Sequence, residues 1–175
     1  MSVIVINGIA TAGKDTFMDL MEESFPSLVI KRISAIDLQK KAFCTLGWNG
    51  EKSEEFRKYL SDMKLYSDKH FDTSYKYITD NISKYFIDKK ECDILFVCVR
   101  DADTIKRCVD FCRDNNVSCI KLLIERSNII KITSNDGDRD VYNTNYDITI
   151  DNSGTLDELK EKIKAFKNNI IQDNI

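Results

Sequence analysis

The sequence predicts an α/β fold of three layers, in which helices cover both faces of a five-stranded parallel sheet and a helical cap is inserted at one end. Three observations carry that expectation. Short, continuously apolar, β-branched runs alternate with stretches of helical periodicity, the pattern of strands buried on both faces. A glycine-rich loop follows the first such run and opens the first helix. Between the second and third strands, residues 37–88 carry helical periodicity almost throughout.

Val3-Ile-Val-Ile6 is the first strand. Residues 14–25 place Phe17, Leu20, Met21 and Ser24 at helical spacing, and Pro26 closes the segment because it cannot continue a helix. Leu28–Ile33 is the second strand. From Asp37 to about Asp88 apolar residues recur every three or four positions: Leu38, Ala42 and Leu46, then Phe56, Leu60 and Met63, then Tyr75, Ile78, Ile82 and Phe86. Gly47 and Gly50 separate the first two of these helices, and Lys69–Thr73 separates the second from the third. This excursion is expected to form a substrate cap, anchored by Trp48, with His70 in an exposed turn.

Strand character returns at Ile94–Val99. A helix over 101–115 turns Ile105, Cys108, Val109 and Cys112 inward, and Val117–Ile124 is the next strand. The stretch from about 126 to 145 is polar and holds the turn signal Asn135-Asp-Gly137, so a lid-type loop is expected there. Tyr146–Ile150 is the last strand, Asp151–Gly154 a turn, and Leu156, Leu159, Ile163, Phe166 and Ile170 mark a final helix that frays beyond Asn168. Right-handed crossovers between the parallel strands are expected.

With 175 residues and 42% hydrophobic content, one domain spanning 1–175 has a core large enough to fold without staples. A net charge of -3 with interspersed signs gives no basic field, which disfavours nucleic acid as the main partner. The six cysteines contain no Cys-x-x-Cys pair and several lie in apolar runs, so they read as buried free thiols of a reducing, cytoplasmic setting. No apolar run approaches the roughly 20 residues of a membrane span. A soluble monomer or homodimer is expected.

The chemistry starts at Gly8-Ile-Ala-Thr-Ala-Gly13-Lys14-Asp15-Thr16. Small residues at Gly8, Ala12 and Gly13 let consecutive backbone N–H groups point into one concavity. The helix that follows adds its positive end, and Lys14 reaches the outer phosphates of a nucleotide. This is a P-loop, and the predicted fold becomes the three-layer P-loop NTPase fold with ATP and Mg2+ as ligands. Asp15 stands where a hydroxyl residue usually serves magnesium; as a hard oxygen ligand it suits the ion too, together with Thr16.

In open parallel sheets ligands bind outside the carboxyl ends of the strands, which singles out Cys98-Val99-Arg100-Asp101. Arg100 suits a substrate phosphate. Asp101 suits magnesium-bound water or a proton, and equally suits the N-cap of the helix that begins at Ala102. On the cap, Arg57 and Lys64 are candidate phosphate ligands for the acceptor. Arg126, just past the fourth strand, and Arg139, in the lid loop, are candidates to stack on adenine or to neutralise phosphoryl charge.

Assembled, these features resemble the nucleoside monophosphate kinase group of P-loop kinases, especially phage-type deoxynucleoside monophosphate kinases and animal-type phosphomevalonate kinases. Gly13-Lys14-Asp15-Thr16 carries the resemblance, since both groups have aspartate after the P-loop lysine. Ser34-Ala-Ile-Asp37-Leu-Gln39, Lys52-Ser-Glu-Glu-Phe-Arg57-Lys58 and Asp147-Ile-Thr-Ile-Asp-Asn152-Ser-Gly154-Thr-Leu156 extend it. The resemblance implies transfer of the γ-phosphoryl group of ATP to an acceptor phosphate, with Lys14 and Arg100 the most transferable residues. It further implies Ser34 and Asp37 on the acceptor side, and Asn152 and Gly154 on the adenine side. The expected acceptor is a (deoxy)nucleoside monophosphate; phosphomevalonate, dephospho-coenzyme A and an ATP-sensing module without transfer are the alternatives. One departure stands out. Both groups have Asp-Thr-Arg where this chain has Cys98-Val99-Arg100, leaving Asp101, Asp103 or Asp15 to make up the missing acid.

Overall fold

In the computed structural model, which describes residues 1–51, 53–127 and 140–172, the chain opens with β1 (Ser2–Asn7), buried at all six positions. The other strands are β2 (Ile30–Ser34), β3 (Ile94–Cys98), β4 (Ser118–Glu125) and β5 (Ile148–Asp151). They form one sheet in the order β2-β3-β1-β4-β5, and every pairing is parallel. Ile6 pairs with Cys98 on one side and Leu122 on the other, so the carboxyl ends of the three central strands align. The five parallel strands match the expectation, with bounds moved by one or two residues. Leu28, expected in β2, lies in the preceding turn, where its N–H donates to the Phe25 carbonyl (3.0 Å).

Alternation along β1 builds two cores. Ile4 and Ile6 point to the layer formed by α1 (Lys14–Ser24) and α6 (Leu156–Gln172), meeting Phe17, Met21, Leu159, Ile163, Phe166 and Ile170. Val3 and Val5 point to the opposite layer, with Ile78, Ile82, Ile105, Cys108 and Cys112. Phe17 is fully buried, its ring edge-on to Phe96 (6.2 Å) and Phe166 (5.4 Å), and so locks α1 between sheet and α6. The expectation that the chain frays beyond Asn168 is corrected: α6 runs on, and Ile170 is only 3% exposed. Thr155 and Glu158 start this helix with a reciprocal capping box. Leu156 lies on this helix as expected and is 53% exposed.

The second layer contains α5 (Ala102–Asp114) and α4 (Thr73–Ile82), which continues as a π-helical segment over Ser83–Asp88. With α2 (Asp37–Thr45) and α3 (Glu54–Phe71), α4 forms the helical excursion between β2 and β3. The separator expected at Lys69–Thr73 shrinks to Asp72, whose left-handed backbone (φ 55°) ends α3 and starts α4. Trp48 anchors the cap as expected: its indole stacks on Phe56 (4.3 Å) and donates to the Glu51 carbonyl (2.9 Å). Leu38 and Leu46, expected inward, are exposed because α2 packs through Gln39, whose Nε2 donates to Ser67 Oγ (2.8 Å). His70 is exposed, as expected. All six cysteines are free; Cys92, Cys108 and Cys112 are buried, Cys98 and Cys119 half-buried, and Cys44 is exposed against expectation. Among the described residues no helix is long and apolar enough to cross a membrane. Arg139 and the Asn135-Asp-Gly137 turn lie outside the described residues.

Two predictions follow from this packing. Phe17→Ala removes a fully buried ring, so denaturant unfolding should find the variant about 3–5 kcal/mol less stable. Arg107 forks the Asp72 carboxylate and lies over the Tyr75 ring (3.8 Å), which holds Asp72 below the usual carboxylate range. Its contribution is therefore complete above the unfolded-state value of about 3.9 and is lost as pH falls through the lower folded value. Asp72→Asn should lower the melting temperature slightly at pH 7, and the difference from wild type should vanish in acid.

Candidate active site

The strand ends meet the glycine loop at Asn7. This side chain is fully buried; its Oδ1 accepts from the Gly8 N–H (2.8 Å), and its Nδ2 donates to Tyr146 Oη (2.8 Å) and the Arg100 carbonyl (3.4 Å). Tyr146 in turn donates to the Val141 carbonyl. One amide thus ties the loop's first glycine to the exit of β3 and the entry to β5.

Close neighbours, a backbone carbonyl at one end and a side-chain amide at the other, then favour glycine at both ends of the loop. A Cβ on Gly8 would stand 2.4 Å from the Ile124 carbonyl oxygen, and one on Gly13 2.2 Å from Asn152 Nδ2. Gly13 also adopts φ 94°, which side-chain-bearing residues rarely reach. Gly13 is the N-cap of α1 and supplies no side-chain hydrogen bond, and the positive end of the helix lies at the loop, where it favours an anion. Lys14 Nζ folds back onto the carbonyls of Gly8 (2.6 Å) and Ile9 (3.1 Å). A phosphate offers a stronger partner than these neutral acceptors.

A cavity of about 440 Å³ opens beside this loop, lined by Thr11, Gly13, Lys14, Asp15, Thr16, Arg126, Asn152, Gly154, Leu156 and Leu159. It unites most of the residues expected on the nucleotide side. Ala12 is buried beneath it and its carbonyl accepts from Asn152 Nδ2 (2.8 Å). Asn152 therefore braces the loop in addition to lining the cavity. The Asn152 N–H donates to the Glu125 carbonyl (2.6 Å) and the Ser127 N–H to Ser153 Oγ (2.8 Å), which holds Arg126 against the exit of β5. Thr11, Leu156 and Leu159 line the cavity but were not among the expected site residues. Leu156 sits three residues from Leu159, a spacing that disguises an apolar cavity wall as a core position.

The P-loop fold implies magnesium with its nucleotide, and the donor set fits. Asp15 and Thr16 place a carboxylate and a hydroxyl in the first turn of α1, where both line the cavity. Among the described residues there is no group of three or more His, Cys, Asp and Glu positioned for a metal ion. Such a sparse set suits an ion held mainly by phosphate and water, as magnesium usually is.

On the other side of the strand ends stand the residues expected at the acceptor. Arg100 leaves β3 half-buried, two residues past its end. Ser34 ends β2 and its N–H donates to Asp37 Oδ2 (2.6 Å); Asp37 Oδ1 stands 3.6 Å from Lys40 Nζ. Lys64 Nζ lies between Asp68 Oδ2 (2.7 Å) and Asp101 Oδ2 (3.1 Å), so it reaches across from the cap to the strand end. Asp101 caps α5, its Oδ1 accepting from the Thr104 N–H (2.9 Å). Burial works against this carboxylate, but Thr104 and the Lys64 charge outweigh it and hold its pKa below the usual range. Arg57 is exposed on α3. Cys98 is a neutral thiol, pushed up to about 11 by burial.

No protein-family model and no curated protein matches the sequence. Solved structures match its fold. The APS kinase of Mycobacterium tuberculosis, bound to AMPPNP and APS, superposes over 95% of this chain and 97% of its own with a TM-score of 0.54 at 12% identity. The tunicamycin resistance protein of Deinococcus radiodurans covers 96% of both chains, with a TM-score of 0.57 and 14% identity. A sugar kinase from Janibacter sp. covers 96% of this chain and 95% of its own, with a TM-score of 0.55 and 9% identity. At such identities the likeness establishes the fold, and that fold is the one P-loop kinases use.

Gly13→Ala should drive residue 13 into Asn152 and away from φ 94°. Its melting temperature should fall, and its affinity for inorganic tripolyphosphate should drop by on the order of tenfold or more, a loss of at least about 1.4 kcal/mol.

Proposed function

We propose that this chain is an ATP-dependent phosphotransferase that moves the γ-phosphoryl group of ATP to the phosphate of a small acceptor, a (deoxy)nucleoside monophosphate. The observation that carries this is the convergence of the N-terminus of α1 with Lys14, Asp15, Thr16, Arg126, Asn152 and Leu156 on one cavity at the strand ends. Its 440 Å³ fall within the usual range for small-molecule sites.

In this reaction the loop amides and Lys14 hold the outer phosphates, while Arg126 and Leu156 offer the adenine a cationic and an apolar surface. Asp15 and Thr16 would hold magnesium with the phosphates, and the ion would supply charge compensation for the transferred group. Arg100 meets the acceptor phosphate from the β3 side, and Arg57, Lys64, Ser34 and Asp37 complete the acceptor side. Lys64 exchanges its carboxylate partners for the acceptor's phosphate, and in doing so releases Asp101. An acceptor phosphate is ionised at neutral pH, so the transfer needs positioning and charge compensation more than a strong base. The net acidic chain and reduced thiols suit work on small molecules in the cytoplasm.

The test is a coupled ADP-release assay with ATP and a panel of nucleoside monophosphates, phosphomevalonate and dephospho-coenzyme A. Acceptor-dependent ADP release with one or more nucleoside monophosphates is expected. Lys14→Ala should lower turnover by at least a thousandfold, a loss of about 4 kcal/mol of transition-state stabilisation, with the melting curve retained. Full activity in Lys14→Ala would sink the assignment. ATP binding with no acceptor-dependent ADP release would make the chain a nucleotide-sensing module.

A further inference from the structure

The glycine loop holds two residues in the left-handed region, Thr11 at φ 64° and Gly13 at φ 94°. For a β-branched threonine that conformation is costly, and it persists only where neighbours over-determine the backbone. Inside the loop the Ala12 N–H reaches the Ile9 carbonyl over a long 3.3 Å. From outside, Asn7 Oδ1 takes the Gly8 N–H at the loop's start (2.8 Å), and Asn152 Nδ2 donates to the Ala12 carbonyl at its end (2.8 Å). The Ala12 carbonyl and the Gly13 N–H belong to one planar trans peptide, so they point in opposite directions. Holding the oxygen therefore fixes the hydrogen. Glycine at position 13 makes such a hold necessary, because without a Cβ this peptide turns over at little cost. Asn152 also occupies the space that a side chain there would take, since a Cβ on Gly13 would stand 2.2 Å from its Nδ2.

Asn152 is itself firmly held. It follows Asp151, the register partner of Glu125, and its own N–H donates to the Glu125 carbonyl (2.6 Å). The Asp151 carboxylate takes the Ser153 N–H (3.0 Å), and the Asp151 carbonyl accepts from Lys162 Nζ (2.5 Å). Ser153 Oγ accepts from the Ser127 N–H (2.8 Å). The Asn152 amide thus meets the loop from a turn braced by the end of β4 and by α6, and it lines the same cavity as Gly13 and Lys14.

We propose that Asn152 is a positioning residue for the phosphates: by holding the Ala12 carbonyl it aims the Gly13 N–H at the bound phosphate and keeps that peptide from turning over. The proposal rests on the phosphotransferase reading above. It gives Asn152 a task separate from the adenine contact that the sequence resemblance implies.

Inorganic tripolyphosphate separates the two tasks, because it carries phosphates and no base. In titration calorimetry Asn152→Ala should weaken tripolyphosphate and ATP alike, each by on the order of tenfold. Gly13→Ala disturbs the same peptide from its other end, so the two substitutions should overlap. The double variant should bind tripolyphosphate within about threefold of the weaker single variant, whereas effects of independent origin would multiply. A measurement on the wild-type protein needs no variant to fold: in proton–nitrogen NMR spectra the Gly13 amide proton should move downfield as tripolyphosphate is added. Tripolyphosphate affinity unchanged in Asn152→Ala, with or without a loss for ATP, overturns the proposal. So does a multiplicative double variant, or a Gly13 amide that tripolyphosphate leaves unmoved. Each of these results leaves the phosphotransferase assignment standing, while a wild-type protein that binds neither ATP nor tripolyphosphate overturns both.

Discussion

The site depends on how closely the glycine loop lies against its neighbours. Gly8 passes under the Ile124 carbonyl and Gly13 against Asn152, at distances that leave no room for a methyl group. Those contacts pin a loop between β1 and α1 to the exits of β4 and β5, two strands that arrive more than a hundred residues later. Parallel register makes the pinning possible, because it brings the carboxyl ends of β3, β1 and β4 to one edge. Asn7 completes the arrangement from within, satisfying its own amide on three segments at once. A fully buried amide left unpaired costs on the order of 1–3 kcal/mol, so these partners are mutually enforced.

Charge organises the other bank. Lys64, Asp68 and Asp101 form a three-membered cluster with one excess negative charge, and it spans the cap and the strand end. Asp68 also accepts from the Ser74 N–H (2.8 Å), and Ser74 Oγ lies 2.9 Å from the Ala35 carbonyl, so the cluster is continuous with the exit of β2. An anion entering here meets a cation already shared between two acids. Binding is then an exchange of partners, and its strength depends on the difference between a phosphate and a carboxylate, not on the full attraction of a bare lysine.

How much was legible in the sequence follows from how local each signal is. β1, the P-loop and α1 were fixed by contiguous residues, because four β-branched or apolar positions, two glycines and a lysine need no distant partner to be recognised. The final helix was legible by its period, but the period did not show that Leu156 is exposed and lines the cavity. Asp101 offered two roles from sequence, and the structure shows the cap role directly while adding Lys64, a partner 37 residues away that periodicity cannot reveal. Asp72 went unrecognised as the hinge between α3 and α4, because a left-handed residue inside a polar stretch looks like any turn. The strand order and the pairing of Ser34 with Cys98 are long-range facts that no local signal carries.

The uneven exposure of the thiols has a practical consequence. Cys44 lies on α2 of the cap and is exposed, whereas every other cysteine is buried or half-buried in the two layers around the sheet. The natural chain therefore carries its most accessible attachment point on the cap, whose approach to the strand ends the phosphotransferase reading requires. A maleimide dye at Cys44 would report the environment of α2 as nucleotide and acceptor are added, with no residue of the site altered.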